Sequence, residues 1–214
     1  MAVTRERFNQ GMSYEESKAK MPRNQAAIEQ FERDIKLTDQ DLAPWRGLSQ
    51  NHSVLVLVID PCPDVQLNVP LLVKIARETG ELNVRVFMRD DNKDLMAQFM
   101  NGPYESVPVF AFFDQDFNLR SVFIERPKSV TDLRVEKTRA IHESDTAFGP
   151  MGTSAAEYPD DVRARYQDAI RQMRAETTDY YLAESIKAMG ELAADLAANP
   201  TSAQWRGNLL AVPA

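Results

Sequence analysis

The chain has 214 residues, 43 % of them hydrophobic and 27 % charged, with a formal net charge of −7 and a single cysteine. This is the composition of an ordinary globular protein, long enough for one domain with helical elaborations. The acidic balance argues against a nucleic-acid partner, which needs clustered Lys/Arg; no apolar run approaches the roughly 20 residues of a membrane span; and one cysteine excludes an internal disulfide.

The opening stretch, "MAVTRERFNQGMSYEESKAK", has no apolar run of the kind a secretory signal carries, so a cytoplasmic location is expected. Residues 1–50 read as an N-terminal helical extension with a frayed start. Ala27, Ile28, Phe31 and Ile35 fall on one helical stripe. Thr38, with Asp41 three residues on, has the spacing of a capping box.

Residues 53–60, "SVLVLVID", form a continuous apolar run, as expected of a strand buried on both faces. It leads into Pro61-Cys62-Pro63-Asp64. Pro63 suits the first helical position, and the helix that follows closes at Gly80. Its core stripe is Val65, Val69, Leu72, Ile75 and Ala76, and Pro70 inside it predicts a kink. "NVRVFMRD" (83–90) reads as a second strand, 92–100 as a short helix, and "VPVFAFFD" (107–114) and "NLRSVFIE" (118–125) as two strands joined at hairpin length. A helix follows, giving the order βαβαββα. Asp90, Asp91 and Asp94 are read as N-caps and helix-dipole partners rather than a cation site, which would need more ligands. His52 and His142 have no Cys or His at ligand spacing, so no metal is expected.

Residues 143–214 read as a C-terminal helical extension and tail. Val162, Tyr166, Ile170 and Met173 form one stripe, and Leu182, Ile186, Met189 and Leu196 another, in one long helix or two in tandem. The tail from residue 199 is either loose or docked by Trp205 and Leu209. Tyr158, Tyr166, Tyr180 and Tyr181 are assigned to packing, and Arg126-Pro127-Lys128 to closing the last strand.

The element order, a cysteine at the end of the first core strand, Pro70 eight residues later and Val107-Pro108 opening the third strand together resemble thioredoxin. "DPCPDVQLNVPLLVKIA", "VRVFMRDDNKDLM" and "ERPK" are similar to a bacterial branch of thioredoxin-like proteins with an Asp-Trp-Cys-Gly-Asp type motif and extra helices at both ends. The resemblance covers roughly residues 24–140. It implies a thioredoxin-like α/β fold over residues 51–142, with a central mixed four-stranded sheet flanked by helices. It also implies a cis bond before Pro108 and a groove in which Val107 offers its backbone N–H and C=O to an extended peptide.

The departures from the family pattern are chemical. The family's second cysteine aligns with Val65, its Trp with Pro61, its motif Gly with Pro63, and its buried acid with Val56. A thiol at a helix N-terminus is activated by the free N–H groups there, while Asp64 opposes ionisation. Cys62 is therefore either a monothiol nucleophile or an inert remnant. In the first case Pro61, Pro63, Asp64, Val107 and Pro108 line the substrate groove, and a protein or small thiol/disulfide partner, with glutathione as external thiol, resolves the mixed disulfide. In the second the chain is a redox-inactive thioredoxin-fold binding module. No resident cofactor or metal is expected, and "CPDV" differs from the monothiol glutaredoxin motif, which sets iron–sulfur carriage aside.

Overall fold

The computed structural model describes residues 3–198 and 201–210. Met1 and Ala2, at the start expected to fray, and residues 199–200 and 211–214 of the tail lie outside the described residues. The chain forms two compact units. One runs to Pro127 and resumes at Ser185; the other is Lys128–Glu184.

The first unit opens with four helices, α1 (Arg5–Asn9), α2 (Tyr14–Ala19), α3 (Gln25–Asp34) and α4 (Asp39–Arg46). Their starts are set by side chains that satisfy the free N–H groups of a first turn. Thr4 caps α1, Ser13 forms a capping box with Glu16, and Thr38 forms the expected one with Asp41. Ile28, Ile35, Leu42 and Trp45 are fully or almost fully buried, and Trp45 lies 6.2 Å from Phe112, ring centre to ring centre. The N-terminal helices are thus part of the core.

Strand β1 (His52–Val58) has every side chain from Val54 to Val58 buried. The helix α5 (Pro63–Thr79) starts at Cys62 and ends on Gly80 in the left-handed region (φ 75°). It runs unbroken through Pro70 and packs against α3, α4 and the next strand, β2 (Leu82–Met88). Of its expected core stripe, Val65, Val69, Leu72 and Ile75 are buried and Ala76 is half-buried. A short helix, α6 (Lys93–Met96), and the strands β3 (Val109–Phe113) and β4 (Leu119–Ile124) complete the expected series. None of the three acids takes the N-cap position of α6, but Asp94 lies in its first turn, and Asp90 and Asp91 in the first turn of the short 3₁₀ segment before it, where dipole partners are expected; Asp90 and Asp94 are also ion-paired. Asp90 meets Arg89 and Lys93, Asp94 meets Arg7, and Asn92 occupies the N-cap position of α6.

The sheet has five strands where four are expected, in the order β2-β1-β3-β4-β5. β1 and β2 are parallel, β1–β3 and β3–β4 antiparallel. The added edge strand is β5 (Gln204–Gly207), parallel to β4 in the register Ser121↔Gln204 to Ile124↔Gly207. Its polar, four-residue sequence has no strand periodicity. What seats it is Gly207: at φ 98°, a Cβ here would lie 2.1 Å from the Ile124 carbonyl oxygen, so glycine alone permits the approach.

The second unit contains α7 (Lys128–Ser144), α8 (Asp160–Glu176) and the first turns of α9 (Thr178–Ala198). A break at Thr177 makes the C-terminal helix two in tandem. Along α9 the buried positions are Tyr181, Ser185, Met189, Leu192, Ala193 and Leu196, so the buried stripe runs one position before the expected Leu182 and Ile186. The unit's small core is Phe148, Tyr158 and Val162 with Tyr166 and Ile141 against it. His142 donates from Nδ1 to the Phe148 and Gly149 carbonyls, each at 3.1 Å, and receives the Tyr166 hydroxyl at Nε2 at 3.3 Å. Tyr158 and Tyr166 thus pack as expected, while Tyr180 is exposed.

Candidate functional site

Cys62 is the N-cap residue of α5, with extended backbone (φ −143°, ψ 119°). Its own side chain does not cap the helix. The turn before the helix is held by Asn24, a fully buried residue of the N-terminal extension. Asn24 Oδ1 accepts from the Cys62 N–H at 3.2 Å and from Gln66 Nε2 at 2.8 Å, and Nδ2 donates to the Ile59 carbonyl at 3.3 Å. The neighbouring Arg23 N–H donates to Asp60 Oδ2 at 3.0 Å. A residue of the N-terminal extension therefore holds the Cys62 backbone and the Gln66 side chain at the start of α5.

The sulfur faces Val107. The Cys62 S–H donates to the Val107 carbonyl at 3.6 Å, inside the distance accepted for sulfur. The Val107–Pro108 peptide bond is cis, and so is Asp60–Pro61. Among the described residues the Val107 N–H makes no hydrogen bond. The Pro108 carbonyl accepts from the Glu125 N–H at 2.8 Å. Glu125 itself sits in the left-handed region at φ 62°, where a non-glycine residue costs about 1 kcal/mol or more unless its surroundings hold it. Asn68 Nδ2 supplies a second restraint by donating to the Glu125 carbonyl at 2.8 Å.

The charges in the site are paired. Asp64, almost completely buried, is bound by Arg126, which also lies 3.8 Å from Glu125. Arg89 meets Asp90 at 2.9 Å and Glu105 at 3.7 Å. Burial pushes the Cys62 thiol up from its ordinary value. The Asp64 and Glu125 carboxylates push in the same direction, and the backbone N–H groups of Val65 and Asp64 pull the other way without reversing the shift. The two N–H groups act here by proximity, since neither forms a capping bond to the sulfur.

Pro61, Cys62, Pro63, Asp64 and Val107 line one cleft of about 600 Å³. Pro108 lies behind Val107 and contributes through the bond that joins them. Arg126, Glu125, Asn101 and Tyr104 line the same cleft, as do Asn208 and Leu210 from the tail. Of these, Arg126 stands in "ERPK", a segment the sequence assigns to strand closure. Asn24, Asn101 and Asn208 carry no sequence signal beyond a polar residue in a loop. Val65 and Val56, where the family has its second cysteine and its acid, are completely buried. No cluster of three or more His, Cys, Asp or Glu that could hold a metal ion occurs among the described residues, and no helix among them is long and apolar enough to cross a membrane.

A cysteine at the start of the helix after the first strand, facing the residue before a cis-proline across a mixed sheet, is the arrangement of a thioredoxin-like protein. The family model described as Thioredoxin matches residues 11–140, and the chain belongs to the thioredoxin family. Among solved structures it is similar to a protein of unknown function from Pseudomonas aeruginosa, at 20 % identity and a TM-score of 0.56 over 82 % of this chain and 99 % of that one. It is also similar to an HIV epitope-scaffold, at 16 % identity and a TM-score of 0.60 over 93 % of this chain and 100 % of the other. At these identities the likeness speaks for the fold alone. No curated protein matches the sequence.

Proposed function

We propose that the protein binds an extended protein segment in the Cys62 groove and that its thiol stays protonated while it does so. One observation carries this reading: the Cys62 sulfur lies 3.6 Å from the Val107 carbonyl oxygen, a neighbour that can accept from a thiol and offers a thiolate no donor. Val65 in place of a resolving cysteine supports it, and so does the unused Val107 N–H, a main-chain donor of the kind an added strand engages.

The second reading is monothiol exchange, favoured by the place of Cys62 at the start of α5. In that reaction the Cys62 thiolate attacks a disulfide. The S–S bond breaks, a mixed disulfide to Cys62 forms, and the leaving sulfur departs as a thiolate. The thiolate of an external thiol such as glutathione then attacks the substrate sulfur of the mixed disulfide; a disulfide between glutathione and that sulfur forms, the bond to Cys62 breaks, and Cys62 leaves as a thiolate.

Selection of displayed peptides on the wild type, on Cys62→Ser and on Pro108→Ala separates the two. Equal enrichment on the wild type and Cys62→Ser, with loss on Pro108→Ala, is the expected result. Enrichment that requires Cys62, with a glutathione adduct of Cys62 in the intact mass, would replace the binding reading with the exchange reading.

A further inference from the structure

The C-terminal segment reaches the groove that the N-terminal two-thirds of the chain builds. Two of its residues, Asn208 and Leu210, line the cleft that holds Cys62. Beyond its ladder to β4 and the contact of Trp205 with Phe99, 6.4 Å between ring centres, its attachments are specific. The Asn208 N–H donates to the Ile124 carbonyl at 3.0 Å, and Asn208 Nδ2 donates to Glu125 Oε2 at 2.5 Å. Asn101, almost completely buried, uses its side-chain amide as a surrogate strand: Nδ2 donates to the Asn208 carbonyl at 2.7 Å and Oδ1 accepts from the Leu210 N–H at 2.8 Å. Arg206 adds an ion pair with Asp195 and Glu191 of α9.

The partners of Asn208 come from two segments that line the cleft. Asn101 is bridged to Tyr104 by backbone bonds at both ends and opens the loop that leads to Val107. Glu125 is the left-handed corner bonded to Pro108 and next to Arg126. A single tail residue thus ties the Val107 loop to the Glu125–Arg126 corner. The segment itself is a four-residue edge strand whose side chains are exposed or half-buried, with Trp205 41 % and Leu210 40 % accessible. Little burial opposes its release, and the segments it joins are mixed: Asn101 and Val107 are buried, Glu125 and Arg126 half-buried and Tyr104 exposed. Elements with few buried contacts are those that open locally without global unfolding.

From this we infer that Gln204–Leu210 is an intramolecular clamp across the Cys62 groove, and that its undocking admits the protein segment to the cleft. The inference rests on the groove being the binding site, and it names how access to that site is regulated.

Gly207→Ala is the test, since the added methyl meets the Ile124 carbonyl at 2.1 Å and should expel the strand. Two readouts are taken: deuterium exchange of the amides in 101–107 and 204–210, and the rate of Cys62 alkylation by iodoacetamide relative to the denatured chain. The expected result is loss of protection at the Asn208 and Leu210 amides and alkylation about tenfold faster, while β1 and α5 stay protected. Release of the strand with alkylation within about twofold of the wild type would make the segment a brace and overturn the inference. A chain ending at residue 200 serves as the second variant if Gly207→Ala does not fold. A folded truncated protein with an unchanged Cys62 rate overturns it equally, as does loss of the cooperative fold in both, which would place the segment in the core. Alkylation needs no partner. Fast alkylation in the released variant combined with no peptide enrichment would therefore defeat the binding reading and leave the clamp standing.

Discussion

Two chain extensions meet at Cys62, and they do so by opposite means. The N-terminal extension arrives through the core. Ile28, Ile35 and Trp45 are completely buried, and Asn24 makes three hydrogen bonds to the backbone and side chains around the Cys62 turn. The last described segment of the C-terminal extension, Gln204–Leu210, arrives along the surface after the buried positions of α9, as a short edge strand held by Gly207, Asn208 and the amide of Asn101. The first is inseparable from the fold. The second touches the same groove while contributing little to the burial that holds the fold together. Proximity to a site and structural necessity are thus different properties in this molecule.

The largest expected effect comes from breaking the buried side of that contrast. Trp45→Ala leaves a void against Phe112 and should lower the unfolding free energy by about 3–5 kcal/mol, read by urea denaturation. A loss below about 1 kcal/mol would show that the N-terminal helices are peripheral after all. Asn24→Ala removes one acceptor shared by two donors and should cost about 1–3 kcal/mol through groups left unpaired at the start of α5. An unchanged midpoint would mean that water replaces the amide.

The acid dependence sharpens the contrast further. Burial holds His52, at the start of β1, below its ordinary value. The unfolded chain therefore binds the proton first: stability is present above about pH 6.5 and is lost as pH falls through the unfolded value. The wild type should weaken between pH 7 and 5 more than His52→Phe does, whereas two parallel profiles would remove His52 from the account.

The smaller effects belong to the surface and the groove. Asp64→Asn removes one of the two carboxylates that push the thiol up, so the alkylation profile of Cys62 should move to lower pH with the fold intact. A profile that stays in place would assign the shift to burial alone. Trp205→Ser, at an exposed edge position, should change stability by less than about 0.5 kcal/mol. A larger change would erase the distinction between the two extensions.

The legible parts of the molecule were those with period and punctuation. β1 announced itself as an unbroken apolar run, α5 by Pro63 at its start and Gly80 at its end, and the Thr38–Asp41 box by its spacing. Pro70 predicts a kink, and it lies inside α5, which continues through it. The fifth strand was invisible because it is edge, polar and four residues long, and what seats it is a close approach at Gly207 rather than any alternation. The groove was half legible. Cys62, Val107 and Pro108 follow from a resemblance, but the residues that hold them are side-chain amides with distant partners: Asn24, Asn68 and Asn101 bond backbone, and Asn208 bonds the Glu125 carboxylate. Such bonds depend on tertiary placement and leave no local pattern.

The pairing of β4 with β5 joins residues far apart in the chain: Ser121 donates its hydroxyl to the Gln204 carbonyl across 83 positions. Closing so long a loop has to wait for the chain to exist. On the ribosome, at roughly 5–20 residues per second, the strands β1 to β4 and the Cys62 turn are complete several seconds before Gln204 is added. The newborn protein therefore passes through an interval in which its groove has two walls and no third, and any segment that is to enter without displacing the tail has that interval in which to do so.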